Sequence, residues 1–492
     1  MNLSIKFKSG AATNSILLAF VKVITSLLSM ATTRILCGIL SETQYGTYAQ
    51  TLLIVSTLSS ITILGMTDAV NYFYNKNYGT KKANEFVATI FFLQLIVSFI
   101  GFIFIIMSKD FIIQYFSNSS LENLLIFAAV IPFINNILSM LQVLFISIGK
   151  AKLIAFRNLI VSVLNLCCFS IGCYVTNDIF TLLLITVILN VLQVLYLVIV
   201  LIKNGLVIRF QDIRISLSRE IFKYCIPMEM FILTNALARD MDKYVISGYE
   251  STEVVAMYTN AAKVLPFDII MTSFLTVLVP IITKLLGEKK YKEASDVYSD
   301  FLMFSCLTTM IMAAGVIPLA EEIVQFLYSS KYIDAAPIFR VYVMVDIIRF
   351  MSLSLVLSAS GKTKLLMKIS IGSLLANLCL NIVFYKVMGI IGPSIATLLI
   401  MFVSGLLTIY FSAATMHANL RTILNARELS VYLIKILVLC ASEGLLKVIL
   451  SRYFESYLII LILCFGTYFI LACLVFKNRL IYYFTKLNER RF

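Results

Sequence analysis

Several lysine and arginine side chains fall inside apolar stretches of this sequence, where a positive charge is costly. A charge within a membrane span is rare and is by default a candidate for function. Guanidinium and ammonium groups are common ligands of phosphate and carboxylate, so this set could stabilise an anionic group inside a bilayer. The candidates are Lys22, Arg34, Arg239, Lys243, Lys263, Arg340 and Arg349.

Each of these cations also has a structural explanation. Long basic side chains near helix ends reach the lipid headgroups by snorkelling, which would account for Arg34, Arg239, Lys243 and Arg340. Lys22 has the same alternative. Asp346 stands three residues before Arg349 on the same helical face, so these two could form a neutralised pair. Lys263 is the strongest candidate, because it lies about 13 Å from the start of its span.

Acidic residues within the spans suggest coupling to an ion. A carboxylate in a low-dielectric cavity can exchange a proton or a sodium ion during a conformational cycle. The candidates for this role are Asp346, Asp268 and Glu229. Glu443 is also embedded, and its spacing from Lys447 predicts a local ion pair. The sequence has no G-x-x-x-x-G-K-[ST] loop, which argues against ATP hydrolysis and favours secondary transport.

The apolar stretches must position these charges. The chain has 492 residues, of which 60% are hydrophobic and 13% charged, and its mean hydropathy is +0.96. Apolar runs of about 20 residues, the length of a membrane-spanning helix, recur throughout. Their continuity favours helices over a barrel. We predict fourteen spans, at residues 12–38, 47–70, 86–107, 121–147, 153–175, 179–202, 219–247, 254–283, 300–320, 335–359, 365–386, 390–415, 429–450 and 456–477.

Two segments of the chain repeat each other. GKAKLIAFRNLIVSVLNLCCF begins at Gly149 and GKTKLLMKISIGSLLANLCLN begins at Gly361. In duplicated transporters the substrate site lies between the repeats. We therefore predict an all-α polytopic membrane protein with two six-helix lobes, related by a pseudo-two-fold axis along the membrane normal. The lobes comprise residues 1–203 and 219–415, with a cytoplasmic linker at 204–218 and two extra helices with a cytoplasmic tail at 416–492.

The basic residues are unevenly distributed between the predicted loops. Most lie in loops on the side of the N-terminus, and the opposite loops hold only Lys109, Lys331, Lys386 and Arg452. The positive-inside rule then places both termini in the cytoplasm. The net charge of +14 follows from this topology and from attraction to anionic headgroups, so nucleic acid is not an expected partner.

The sequence contains no pattern of residues that predicts catalysis or metal binding. Its only histidine, His417, stands at a predicted helix end, and its ten cysteines lie almost entirely within spans, without metal-ligand spacing. The predicted loops are too short to hold a soluble domain. A membrane glycosyltransferase or polymerase usually needs such a domain or a large outer loop, so we expect no catalytic residue, no metal and no cofactor.

Four motifs occur in order along residues 12–415. They are R-I-L-x-G-x-x-x-x-x-x-Y-G-x-Y from Arg34, A-M-Y-x-x-A-x-K from Ala256, S-G-K-x-K from Ser360 and G-I-I-G-P-S-I-A-T from Gly389. This order resembles the polysaccharide flippases of the multidrug/oligosaccharidyl-lipid/polysaccharide exporter superfamily. The resemblance implies alternating access and an oligosaccharide substrate linked through diphosphate to a polyprenyl carrier. It also implies a headgroup role for Arg34 and Lys263, which coincide with basic positions of the related lipid II flippases.

The prediction is therefore a flippase of the bacterial inner membrane. It would move a polyprenyl-diphosphate-linked oligosaccharide, such as an O-antigen, capsular or exopolysaccharide repeat unit, to the outer leaflet. Membrane lipids, a proton or sodium ion and a polysaccharide polymerase are the expected partners. The predicted substrate-binding residues are Lys263, Arg34, Arg349, Arg340 and Lys22.

Two alternatives stay open. A cation-coupled multidrug exporter of the same superfamily would have a cavity dominated by aromatic and acidic residues. A membrane glycosyltransferase or polymerase would form new glycosidic bonds.

Overall fold

The structure is a computed structural model that describes residues 9–204, 208–263, 268–351 and 353–489. Within these residues the chain forms helices and no strand. Two compact units are present, Met1–Ala256 and Met257–Phe492. The predicted lobes divide instead at residues 204–218. The unit boundary reflects packing and the lobe boundary reflects the internal repeat, so the lobes stay a prediction.

The first unit packs around buried residues of its third, fourth, sixth, seventh, eighth and ninth helices, including Phe73, Ile90 and Phe145. Its helices, up to a boundary that falls within α10, are α1 (Ser9–Ile39), α2 (Glu42–Thr62), α3 (Met66–Lys76), α4 (Lys81–Met107), α5 (Lys109–Phe116), α6 (Leu125–Ser147), α7 (Ala151–Thr176), α8 (Ile179–Lys203), α9 (Ser218–Tyr249) and α10 (Thr252–Ala261). Three of these helices, α6, α7 and α8, contain no charged residue except Lys152, Arg157 and Lys203.

The second unit has its own core. Tyr298 and Phe301 lie at its centre, and Phe476 from the last helix packs against the same cluster. Its helices are α11 (Asp268–Gly287), α12 (Tyr291–Ala314), α13 (Ala320–Leu327), α14 (Ala336–Phe350), α15 (Leu355–Ala359), α16 (Thr363–Met388), α17 (Gly392–Thr415), α18 (Leu420–Ile423), α19 (Ala426–Leu450) and α20 (Tyr457–Glu489).

Each predicted span overlaps one helix or a consecutive pair of helices, although the span at 300–320 is displaced from α12, which begins at Tyr291 and ends at Ala314. By length and composition alone, nine segments of the described residues are candidate membrane spans, and one of them, residues 363–415, contains both α16 and α17. Charged helices such as α9 do not meet that criterion, although each is long enough to cross a bilayer.

Three predicted spans are interrupted. α2 ends at Thr62 and α3 begins at Met66, because Leu64 and Gly65 take φ angles of 44° and 68°, outside right-handed helical geometry. The eighth span divides between α10 and α11, and the tenth between α14 and α15. The apolar runs continue through these positions, which is why the sequence predicts unbroken helices.

Buried amides from neighbouring helices bind the backbone at the α2–α3 interruption. Gln94 Nε2 on α4 donates to Thr62 O at 2.9 Å. Asn136 Nδ2 on α6 donates to the Thr62 hydroxyl at 2.8 Å and to Ser59 O at 3.5 Å. Non-helical backbone is tolerated at membrane depth only where such partners satisfy it. These two amides therefore explain how the interruption is stable inside the first unit.

The two G-K-x-K turns have the same geometry. Gly149 and Gly361 take φ angles of 80° and 70°. In each turn the N–H of the following lysine donates to the carbonyl oxygen five residues earlier, at 2.8 Å in the first copy and 3.0 Å in the second. This is a Schellman cap, which needs a left-handed residue and so favours glycine. Each cap precedes a helix of 26 residues, α7 or α16, so the repeat is present in the backbone as well as in the sequence.

Candidate functional site

The candidate cations of the first unit differ in their surroundings. Lys22 is exposed on α1, which fits the snorkelling explanation, whereas Arg34 near the end of α1 is partly buried. On α9, Lys243 Nζ lies 2.5 Å from Asp240 Oδ1, and Arg239 Nη2 lies 3.8 Å from Asp240 Oδ2. The Asp240 carboxylate thus offsets the charges of both Arg239 and Lys243. On α1, the partly buried Arg34 is a stronger candidate than the exposed Lys22.

Glu229 of α9 lies at the α2–α3 interruption. Its side chain is 2% exposed, and its carboxylate accepts a hydrogen bond from the Gly65 backbone. Its Oε1 atom has no hydrogen-bond partner among the described residues. Asp68, in the first turn of α3, is close enough for its charge to act on Glu229. The structure therefore brings together two embedded acids whose proximity the sequence did not reveal, and a buried carboxylate with an open oxygen is suited to take up a cation.

Lys263 belongs to the second unit and lies just beyond the end of α10. It is non-helical and partly buried, and its Nζ lies 5.7 Å from the ring centroid of Tyr328, within cation–π distance. The next helix begins at Asp268, whose side chain lies outside the described residues. In transporters, helix ends inside the membrane are typical of substrate sites. The headgroup role of Lys263 stays a prediction.

Arg349 and Asp346 form the pair that their spacing predicts. Arg349 Nη1 lies 2.8 Å from Asp346 Oδ1 on α14, and the side chains are 20% and 4% exposed. Because the carboxylate offsets the guanidinium, the geometry favours a structural pair. The separate roles of Arg349 in substrate binding and of Asp346 in ion coupling stay predictions.

Arg340 takes part in a charged network around α13. Glu321 accepts hydrogen bonds from Arg340 Nη2 at 2.8 Å and from Lys447 Nζ at 3.2 Å. Lys447 Nζ also lies 2.9 Å from Glu322 Oε2. The predicted pair of Lys447 with Glu443 is therefore wrong, because packing of the chain brings two acids of α13 to the lysine. The predicted substrate role of Arg340 stays a prediction. In that role, its positive charge would be partly offset by Glu321.

The network should depend on pH through Glu321. The hydrogen bond from Arg340, helped by the charge of Lys447, holds the pKa of the Glu321 carboxyl below its usual range. A lowered pKa in the folded state adds stability above the unfolded pKa, about 4.3. That stability is lost as the pH falls through the folded value. We therefore expect Glu321→Gln to lower the melting temperature at pH 7 and to have a smaller effect below about pH 4.

Melting of the purified protein, followed by circular dichroism at the two pH values, measures this effect. Glu455 is an exposed carboxylate between α19 and α20, so Glu455→Gln is the matched control and should leave the melting temperature nearly unchanged. An equal loss at both pH values for Glu321→Gln would contradict an electrostatic role.

Glu443 is buried in α19, and its carboxyl makes no hydrogen bond within the described part of the chain. Its side chain is 2% exposed, and neither carboxylate oxygen has a hydrogen-bond partner among the described residues. Cys464 and Tyr468 on α20 lie near it. Burying a polar group without a hydrogen bond costs roughly 1–3 kcal/mol. The carboxyl therefore weakens the packing of α19 against α20.

We expect Glu443→Met to raise the melting temperature, because an unbranched apolar side chain of similar length removes that cost. Glu428 on the same helix is the control. Its Oε1 accepts a salt bridge from Arg479 at 3.0 Å and a hydrogen bond from Tyr432, so Glu428→Met should lower the melting temperature. A loss of stability in Glu443→Met would instead indicate that the carboxyl binds a stabilising cation.

Arg157 is not among the candidate cations predicted from the sequence. The structure buries it within α7, at 7% exposure. One signal could have revealed it. The first unit contains several long helices without any acidic residue, α7 among them, so a buried cation there has no obvious partner.

Comparison with known families gives one match. A family described as polysaccharide biosynthesis protein matches residues 35–337, which is more than half of the chain. A search of curated proteins gives no match.

Comparison with solved structures gives several matches. The chain is similar to the lipid II flippase MurJ in an inward closed conformation, with a TM-score of 0.74 and 16% identity over 95% of this chain and 100% of that one. It is similar to an inward-facing multidrug resistance transporter of the MATE family, of the MOP superfamily, with a TM-score of 0.66 and 14% identity over 82% and 98%. A MOP superfamily transporter from Pyrococcus furiosus gives a TM-score of 0.59 and 16% identity over 83% and 95%. At these identities the likeness concerns the fold alone, and it confirms the predicted all-α polytopic membrane fold.

Proposed function

The chain belongs to the family of polysaccharide biosynthesis proteins, and from this premise we propose that it is a flippase for a lipid-linked oligosaccharide. The substrate is an oligosaccharide joined through diphosphate to a polyprenyl carrier, such as an O-antigen, capsular or exopolysaccharide repeat unit. The protein moves it by alternating access from the cytoplasmic to the outer leaflet of the bacterial inner membrane, with both termini in the cytoplasm. Chemistry on the sugar is left to other proteins, among them a polysaccharide polymerase.

The position of Lys263 is the observation that carries this proposal. Tyr328 keeps its ammonium group 5.7 Å from the ring centroid, within the protein. A diphosphate that crosses the membrane needs such a cation, because charge-assisted contacts offset the loss of its hydration. Arg34 is the second candidate ligand, and its partial burial supports the same role. Lys22, Arg340 and Arg349 would contact the diphosphate later in transport than Lys263 and Arg34, or more weakly.

Ion coupling would use the embedded acids. Glu229 is the best placed of the three candidates, because it is buried, has an open oxygen and lies near Asp68. Asp346 would have to leave Arg349 to bind a proton or sodium ion. Asp268 stands at the start of α11. In this mechanism the coupling ion and the headgroup drive movement of two lobes, residues 1–203 and 219–415.

Deletion of the gene, in a host without a second exporter of the same substrate, tests the proposal. We expect the lipid-linked oligosaccharide to accumulate on the inner leaflet and surface polysaccharide to disappear. Complementation with the intact gene should restore both. Unchanged delivery to the outer leaflet in the deletion strain would reject the proposal.

Export of drugs is the second candidate, and the likeness of the fold to a multidrug resistance transporter favours it. It predicts that deletion changes drug susceptibility and leaves surface polysaccharide intact. The same deletion strain therefore separates the two functions, since each changes a phenotype that the other does not.

A further inference from the structure

Arg157 is a buried cation whose hydrogen bonds are incomplete. Its side chain is 7% exposed, and Nη2 donates to Asn158 Oδ1 at 2.5 Å. Its Nε and Nη1 atoms have no hydrogen-bond partner among the described residues. A guanidinium cannot be deprotonated in a protein, so a full positive charge is buried here. An uncompensated buried charge is strongly destabilising, which means that the charge needs an anion.

The surrounding helices supply no anion. α7 packs along α1, α6 and α8. None of these four helices contains an aspartate or a glutamate, and neither do residues 1–8 or 204–208 at their ends. The ion pairs of the described residues do not include Arg157. The counter-ion must therefore come from outside the polypeptide.

The position of Arg157 indicates where that anion would come from. It lies six residues after Ala151, the first residue of α7, which is about 9 Å along the helix. Lys150 at this end of α7 forms a hydrogen bond with Asn204, just after α8, so the start of α7 and the end of α8 lie together. The headgroup layer is roughly 5–8 Å thick on each side of a bilayer. Arg157 is thus within a side-chain length of the level where lipid phosphates lie.

We propose that Arg157 binds the phosphate group of a membrane lipid between α7 and α8. Phosphate oxygens accept the N–H groups that the protein leaves unbonded and offset the guanidinium charge. The lysines around it, including Lys150, Lys152 and Lys203, attract anionic lipid to this end of the helix pair.

The route to the site passes Tyr196. This tyrosine on α8 is 47% exposed and lies close enough to interact with the Arg157 charge. The protein covers Nε and Nη1 in the present conformation. A lipid phosphate therefore reaches them when the Arg157 side chain turns toward the α7–α8 surface at Tyr196. This site does not depend on the proposed function, because either a bulk phospholipid or a polyprenyl diphosphate carries the required group.

Binding of defined lipids to the purified full-length protein tests the site. The probes are phosphatidylglycerol, undecaprenyl diphosphate and a diacylglycerol that has the same acyl chains but no phosphate. Native mass spectrometry gives the apparent affinities, and melting by circular dichroism gives the stabilisation. The variants are Arg157→Gln and Arg157→Leu, with Arg421→Gln as a control, because Arg421 is an exposed arginine on the short helix α18.

We expect the wild-type protein and the control to bind a phosphate-bearing lipid and to bind diacylglycerol much less. Arg157→Gln should weaken phosphate-lipid binding roughly tenfold or more, because it removes charged hydrogen bonds. Stronger binding of undecaprenyl diphosphate would identify the carrier as the ligand, and equal or stronger binding of phosphatidylglycerol would identify bulk lipid; both results support a phosphate site. Equal binding of all three lipids, or equal binding by Arg157→Gln and wild type, would overturn it.

Arg157→Leu tests the same site by thermal melting, and it serves where Arg157→Gln is too unstable for binding measurements. Without lipid, the leucine variant should melt at or above the wild-type temperature, because it removes an unpaired buried charge. Added phosphatidylglycerol or undecaprenyl diphosphate should stabilise wild type and not this variant. A lipid-free melting temperature well below that of wild type would show that Arg157 has an internal partner, and would overturn the proposal.

Discussion

Replacement of Lys263 by alanine is expected to reduce transport of the lipid-linked oligosaccharide by at least about tenfold. The reason is that a hydrogen bond to a charged group contributes roughly 1.5–3 kcal/mol, and here it would be made inside the membrane, where the diphosphate has lost water. The measurement is the appearance of a fluorescent polyprenyl-diphosphate oligosaccharide on the far leaflet of proteoliposomes.

Two further variants separate charge from shape at this position. Lys263→Arg keeps the charge near Tyr328 and should retain a substantial part of the transport rate. Lys386→Ala removes an exposed lysine from the last turn of α16 and should transport like wild type. Full transport by Lys263→Ala, with normal insertion and stability, would remove Lys263 from the site and leave the proposed function without its main support.

Replacement of Gly46 by alanine is expected to destabilise the first unit severely. A Cβ atom at this position would lie 2.0 Å from the Thr252 carbonyl oxygen and 2.7 Å from Thr252 Cγ2, so α2 and the start of α10 would have to separate. Overpacking of this kind typically costs about 1–3 kcal/mol and can cost more where backbone atoms collide. The folded yield and the melting temperature of Gly46→Ala should both fall clearly, and Gly46→Leu should give little folded protein.

Gly372→Ala is the matched control, because it also adds one methyl group within a helix. Nothing lies within 4 Å of a Cβ atom at Gly372, and alanine favours a helix by roughly 0.5–1 kcal/mol over glycine. Its melting temperature should be unchanged or slightly higher. Equal melting temperatures for Gly46→Ala and wild type would mean that the close approach of α2 and α10 can relax at little cost. The glycine of the Y-G-x-Y motif would then need another explanation.

The spans could be predicted because a membrane helix needs a continuous apolar run, which is a local property of the sequence. The interruptions could not be predicted in the same way. Gly65 is tolerated in a helix and also permits the positive φ that ends one, so the residue alone does not decide. The decision comes from Gln94 and Asn136, which lie on other helices and bind the exposed backbone. Charged residues also obscured the helix ends at 284–299, which lies between two predicted spans. There α11 extends to Gly287 and α12 begins at Tyr291, so only residues 288–290 are non-helical.

The same limit applies to the candidate site. The spacing of Asp346 and Arg349 predicted a pair that the structure contains, and the spacing of Glu443 and Lys447 predicted one that it does not. Helical spacing allows Glu443 and Lys447 to form an ion pair. However, Lys447 pairs with the acids of α13, which are too distant in sequence for spacing to reveal. Arg157 is the converse case, since the absence of acids around it was visible in the sequence while its burial was not.

The bend between α2 and α3 is fastened by α4 and α6 through amides, and by α9 through Cys225 Sγ, which lies 3.7 Å from Gly65 O. Straightening this bend would move the Thr62 and Ser59 acceptors away from the buried amide donors of Gln94 and Asn136, and no water replaces them within the hydrocarbon layer. These hydrogen bonds should prevent the bend between α2 and α3 from acting as a hinge. We expect α2, α3, α4 and α6, all within the predicted lobe at residues 1–203, to move together as one rigid block when the protein switches access.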